Sequence, residues 1–327
     1  MIKKPFLFAL LVAILAAGGV AWWATQPITP ASQPAVDFTI LPGSGVRSTT
    51  EQIAAAGVPV EPKLLELVAR ASGKSARMKA GSYTLKPGTT PVRLIEQLIR
   101  GEFAQESLAI IEGWTFGQMR RAIDAHPSLR HDTAKLREPE LLAKISPDLK
   151  ISEGEFFPDT YRFAKNSSDL QVYRQAFSVM QKKLDEAWRQ RAADLPYENP
   201  YQALIMASIV EKETGRHADR TLVASVFVNR LKRGMLLQTD PTVIYGMGER
   251  YQGKIHKQDL LTDTPFNTYT RPGLPPTPIA LPGAAALQAA LHPAQSDALY
   301  FVSRGDGTSQ FSDNLNDHNR AVNQYQR

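Results

Sequence analysis

Residues 207–215 read ASIVEKETG and set Glu211 and Glu213 either side of Lys212, at the end of an apolar run with helical spacing. A carboxyl group can give a proton to a leaving oxygen and take one back, provided its surroundings hold its pKa near the working pH. At 100° per residue the two acids project in nearly opposite directions. Glu211 falls between Ala207 and Ser208, a small-residue face that a bulky ligand can approach. Glu213 falls near Met206, Ile209 and Val210, side chains of the kind that face a core. Glu211 therefore reads as the working acid, and the negative end of the helix dipole favours its protonated form. The alternative is a solvated salt bridge to Lys212, Arg216 or Arg220, the ordinary fate of a carboxylate.

Downstream, LLQTDPTVIYGMG reads as a loop that gathers amide, carboxylate, hydroxyl and phenol groups, and the prolines from Pro272 to Pro282 read as an extended wall. Other reactive residue types point to nothing comparable. The chain has no cysteine, which excludes disulfides, thiolate ligands and cysteine nucleophiles. Its six histidines include no HxxxH pair, so neither a metal nor a cofactor is expected. His292 and His318 read as structural hydrogen-bonding residues close to the cleft. Arg304-Gly305-Asp306 reads as a hairpin turn between YFVS and SQFS.

The elements that must position these groups are short and mixed, giving an α+β fold class. FTILPGSG reads as a strand and turn, TEQIAAAG and PKLLELVARASG as helices closed by glycine, and KAGSYTLKPGTT as a second strand. PVRLIEQLIRG is an amphipathic helix with proline in its first turn and Gly101 at its end. Residues 37–105 thus form a small α+β module, and 106–200 a connector leading into the larger mixed α/β domain. That stretch includes a long helix from Asp169 with Val172, Phe177, Met180, Leu184 and Trp188 on its core face. Residues 201–327 hold the helix-borne glutamate and most of the chemistry.

Ahead of the folded part, Lys3 and Lys4 precede an uncharged run of 18 residues, Phe6–Trp23. At about 1.5 Å per residue it spans roughly 27 Å, close to a bilayer's hydrocarbon core. Residues 1–24 read as a cytoplasmic tip and a transmembrane helix, with Trp22 and Trp23 at the outer interface. This apolar run is longer than the usual core of a cleaved signal peptide. Residues 25–36, with three prolines among small polar residues, read as an extended linker. The 38 Lys+Arg against 32 Asp+Glu are spread along the chain without an aromatic-laced basic run, so no nucleic-acid partner is expected.

Two resemblances add to this reading. The strand–helix–helix–strand order of 37–105, with GSYTLKPG and LIEQLIRGE, resembles the LysM fold, whose members bind the N-acetylated glycan of cell walls. SIVEKET, FVNRL, GMLLQTDPTVIYG, NTYTRPGLPPTPI, the AALQAALHPA stretch, LYFV and HN, in that order, resemble the endolytic murein transglycosylases, the MltG or YceG-like family.

The second resemblance implies a lytic transglycosylase that cuts the β-1,4 bond between N-acetylmuramic acid and N-acetylglucosamine within peptidoglycan strands. The cut leaves 1,6-anhydro ends without using water and terminates strand elongation. The family pattern puts its catalytic glutamate after Ser-Ile-Val, at Glu211, as the single general acid and base. It lines the cleft with Asn229, Gln238, Asp240, Thr242, Tyr245, Asn267 and Tyr269. The implied partners are glycan strands, the cytoplasmic membrane and the peptidoglycan synthases. The implied location is the bacterial inner membrane, single-pass, with the N-terminus in the cytoplasm and the catalytic domain in the periplasm. Two alternatives stand beside it: a non-catalytic anchor that only binds glycan, and a water-using muramidase with Asp240 as base.

Overall fold

The computed structural model describes residues 4–326, so Lys3, one of the two charges ahead of the apolar run, lies outside the described residues. Helix α1 (Lys4–Ala24) is long and apolar enough over Phe6–Ala24 to cross a membrane. Phe6, Leu7, Phe8, Leu11 and Leu15 are exposed along it. Apolar surface left uncovered in water forgoes about 25 cal/mol per Å², so a bare helix of this kind is consistent with a single-pass membrane anchor.

The chain divides into two compact units. The first runs up to Ser107, with short returns at 128–130 and 162–167. It holds β1 (Val36–Ile40), α2 (Val46–Ala55), α3 (Pro62–Ala71), β2 (Gly81–Leu85) and α4 (Pro91–Arg100). β1 and β2 pair antiparallel with Phe38 opposite Tyr83, and the two rings stack 5.5 Å apart. Alternate residues Phe38, Ile40, Tyr83 and Leu85 turn inward to meet Ile53, Leu65, Leu94 and Leu98 in one core. α4 starts and stops as its sequence predicts. Thr90 caps it by accepting from the Arg93 amide, Pro91 fills the first turn, and Gly101 ends it at φ 70°.

The stretch read as a connector contributes to both units. It carries β3 (Gln105–Ala109), α5 (Phe116–Asp124), β4 (Leu129–Arg130), α6 (Glu138–Ile145), β5 (Thr160–Ala164), β6 (Ser167–Ser168) and α7 (Asp169–Arg189). The second unit continues with α8 (Pro200–Glu213), α9 (Arg220–Lys232), α10 (Asp240–Met247), α11 (Lys257–Leu261) and α12 (Ala284–Leu291). The hairpin β7 (Tyr300–Ser303) and β8 (Ser309–Ser312) and helix α13 (Leu315–Tyr325) complete it. Gly305 and Gly307, at φ 84° and 83°, make the hairpin turn that the sequence predicts there.

α8 is the helix around which the second unit is built. Asn199 caps it, Pro200 opens it, and every residue from Ala203 to Val210 is buried. A helix apolar on all sides has no solvent face, and α7, α9 and α12 surround it. α10 departs from expectation, because the polar segment read as a loop is helical from Asp240. Pro241 sits in its first turn, where a missing N–H leaves no hydrogen bond unmade.

Candidate active site

The two glutamates of α8 go to different places. Glu211 accepts at one oxygen from Arg220 Nη2, 3.2 Å away at the start of α9. Its other oxygen accepts from the Gly283 amide at 2.9 Å, at the N-cap of α12. The Glu211 side chain is 5% exposed, and its Arg220 partner 11%. A Cβ at Gly283 would meet the carboxyl of exposed Glu112, which would have to swing aside. Burial pushes the Glu211 pKa up, while the Gly283 amide and the Arg220 charge push back. This carboxylate is a strut joining three helices, and the salt bridge weighed as the alternative for Glu211 is the one that forms, buried rather than solvated.

Glu213, the last residue of α8, accepts a hydrogen bond from the Thr239 hydroxyl. The residue lines a cavity of about 540 Å³ together with Arg230, Gln238, Asp240, Tyr269, Tyr300 and His318. It also lines a second cavity of about 570 Å³ with Thr214, Arg216, Phe301, Ser303 and Thr308. The two spaces share Glu213, Phe301 and Ser303, so both border the end of α8. Burial raises the Glu213 pKa, the Thr239 hydrogen bond lowers it, Asp240 raises it and Arg230 lowers it.

Arg230 holds this cavity in shape. Its Nε donates to the Leu299 carbonyl at 2.7 Å and its Nη1 to the Leu237 carbonyl at 2.8 Å. Its guanidinium lies 5.1 Å from the centroid of the Tyr300 ring. Nη1 also reaches the Gln238 side-chain oxygen at 3.4 Å, and Gln238 takes φ 52°, a left-handed backbone rare for a residue with a Cβ. Tyr269 donates to Asp240 Oδ1 at 2.6 Å across the same cavity. Carboxyl, amide, phenol and imidazole groups therefore converge on one cleft, a set suited to proton transfer on a polar, hydroxyl-rich ligand.

The sequence matches the YceG-like family across residues 38–324. The chain belongs to that family. It is 31% identical to an endolytic murein transglycosylase of Bacillus subtilis over 317 residues, 92% of this chain and 87% of that protein. It is 28% identical to an endolytic murein transglycosylase of Streptococcus pneumoniae, covering 98% of this chain and 65% of that longer protein. Among solved structures it resembles a YceG-like protein of Listeria monocytogenes, with a TM-score of 0.54 and 29% identity over 88% of this chain and 99% of the other.

In this YceG-like chain the seven residues expected at the cleft are placed differently, with Gln238, Asp240 and Tyr269 along the 540 Å³ cavity. The other four are committed to internal partners, Thr242 and Asn267 buried and Asn229 and Tyr245 half-buried. Asn229 Nδ2 donates to the carbonyls of Ser296 and Ala298, anchoring the approach to β7. The Thr242 hydroxyl bonds Thr239 and Thr268. Tyr245 donates to buried Glu153, and Asn267 bonds the carbonyls of Asp259, Leu260 and Thr262. The proline run lines neither cavity; it packs on α8, where the Ile279 amide donates to Ser208 at 3.0 Å.

Arg230 and Tyr300 are cleft residues that pattern reading passes over, and His318, read as a structural residue close to the cleft, lines it. Arg230 lies inside the FVNRL segment, which marks it as notable without stating its role. One cluster escapes spacing rules altogether. Ligand atoms of Asp124, His131 and Asp169 lie within 4.8 Å of one another. Asp169 there accepts from the amide and hydroxyl of Thr133 at the first turn of α7, where the helix N-terminus stabilises its charge, and Arg120 pairs with Asp124.

Proposed function

We propose that this protein cuts peptidoglycan glycan strands from within, with Glu213 as the single proton carrier. The protein is a lytic transglycosylase. A protonated Glu213 gives its proton to the glycosidic oxygen between N-acetylmuramic acid and N-acetylglucosamine as that bond breaks. The resulting carboxylate takes the proton of the muramyl 6-hydroxyl, whose oxygen bonds C1 and closes the 1,6-anhydro ring. No water enters the balance, so no second carboxylate is needed to hold one.

The observation that carries this reading is the position of Glu213 where two ligand-sized spaces meet. A site cutting inside a strand must seat sugars on both sides of the scissile bond. The raised pKa of a buried carboxyl suits an acid that starts protonated. Glu211 is proposed as its support rather than as the acid, since both of its oxygens are already held by Arg220 and Gly283.

By the same reading α1 is a membrane anchor with the second unit on the outer face, and cutting near the membrane ends strands as synthases extend them. The strand–helix–helix–strand order of the first unit supports a glycan-binding role there, as in LysM modules.

Product analysis tests the reaction. Full-length protein in detergent, incubated with purified glycan strands, should yield ends about 18 Da lighter than hydrolysis products, one water less. Reducing ends would show a water-using muramidase, and uncut strands a binding protein only.

A further inference from the structure

His318 stands on α13, whose N-terminus is capped by Asn314. Its ring stacks on Tyr300 with centroids 5.1 Å apart and 23° between planes, and Arg230 lies over the same tyrosine. The imidazole lines the cavity that holds Glu213, yet its Nδ1 is buried without a hydrogen-bond partner.

That unpartnered nitrogen decides the tautomer. A neutral imidazole carries one N–H and one bare lone pair. Burying an N–H with no acceptor is the rarer and costlier arrangement. The proton therefore belongs on Nε2, and the bare Nδ1 faces the protein. Burial, aided by the positive charge of Arg230, keeps the His318 pKa below its ordinary value and the ring neutral. The other titratable groups around the cavity are Glu213, Asp240, Tyr269 and Tyr300. What remains for a ligand is a neutral donor of fixed direction, which selects an acceptor oxygen. On a glycan of N-acetylated sugars the acceptors that hydroxyl groups do not duplicate are the acetamido carbonyl and the lactyl carboxyl, and an uncharged donor matches the uncharged carbonyl.

We infer that His318 is a substrate-binding residue that donates its Nε2–H to an acetamido carbonyl of a sugar seated beside Glu213. This rests on the glycan reading of the cleft. The test uses the full-length Glu213→Gln protein in detergent, so that the probe stays uncut. Its two probes are a soluble tetrasaccharide of alternating N-acetylglucosamine and N-acetylmuramic acid, and the same tetrasaccharide de-N-acetylated.

Adding His318→Phe, which keeps a ring on Tyr300 but has no donor, should weaken the acetylated probe about tenfold, the loss of one hydrogen bond. The de-N-acetylated probe should be indifferent to the change. His318→Gln, whose amide can place a donor near Nε2, should restore most of the loss. Unchanged affinity in the phenylalanine variant, or equal loss on both probes, would overturn the inference while leaving the cleft a glycan site. A parent protein that binds neither probe would overturn the reading of the cleft, and this inference with it.

Discussion

Arg220 Nη2 lies 3.2 Å from Glu211 Oε1, in a pair whose side chains are both largely buried. That contact separates two acids that stand two residues apart in the sequence. Glu211 becomes part of the frame, tied to α9 and α12. Glu213, held by a hydroxyl instead of a cation, borders open volume.

Exchanging the acids one at a time distinguishes these roles. Glu213→Gln should lower the cutting rate by about 10² to 10⁴-fold with the fold intact, the usual worth of general acid–base help. Glu211→Gln should leave Arg220 without its counter-charge and destabilise the protein by about 3 kcal/mol. Its rate per folded molecule should stay within about tenfold of wild type. Rates on soluble glycan and thermal melts read both, and a greater catalytic loss at Glu211 would return the acid to that position.

The stability of the protein should depend on pH through Glu213. Its pKa is raised in the fold, so the associated stability is fully present below the unfolded pKa of about 4.3 and is lost as pH rises through the folded value. Glu213→Gln cannot ionise and can still accept from Thr239. It should melt above wild type at pH 8, and the gap should close by pH 4. Equal melting at pH 8 would mean the carboxylate is not desolvated.

Glu153 and Glu155 impose a second pH dependence. Burial pushes both to about 7 from 4.5, against hydrogen bonds from the Phe116 amide and Tyr245 to the first and from Gln181 to the second. The same sign applies, so stability should fall between pH 4.5 and about 7 and level off above. Denaturant titrations across that window should show a shallower fall in Glu155→Gln.

Thr239 offers a way to move the acid without removing it. Thr239→Val keeps the shape and deletes the donor to Glu213, which lowers the pKa of that carboxyl. The alkaline limb of the pH–rate profile, where the acid loses its proton, should move to higher pH. A profile that does not move would mean another group sets that limb.

Gln238 couples backbone and side chain at the cleft. At φ 52° a glycine is favoured, so Gln238→Gly should keep stability within about 1 kcal/mol of wild type. Removing the amide from the cavity should weaken glycan binding about tenfold. A large loss of stability would instead mark the contact with Arg230 as structural.

Much of the architecture was legible from local pattern. Pro91 marked the start of α4, Gly101 its end, and the glycines around Gly305 a turn, because these act through their own backbone. The order of motifs pointed to the family. The roles of the polar cleft residues were not legible, since Asn229, Thr242, Tyr245 and Asn267 look like ligand-binding groups until their internal acceptors are known.

The sequence by itself determined that a helix would end in two carboxylates pointing opposite ways, and that an amide- and hydroxyl-rich segment would follow it. Which glutamate borders open volume was decided only by tertiary structure. α8 is buried on every side, so its apolar periodicity holds no solvent direction from which to choose. The choice came from residues remote in the chain: Arg220 and Gly283 closing over Glu211, and α10, the β7–β8 hairpin and α13 leaving space beside Glu213.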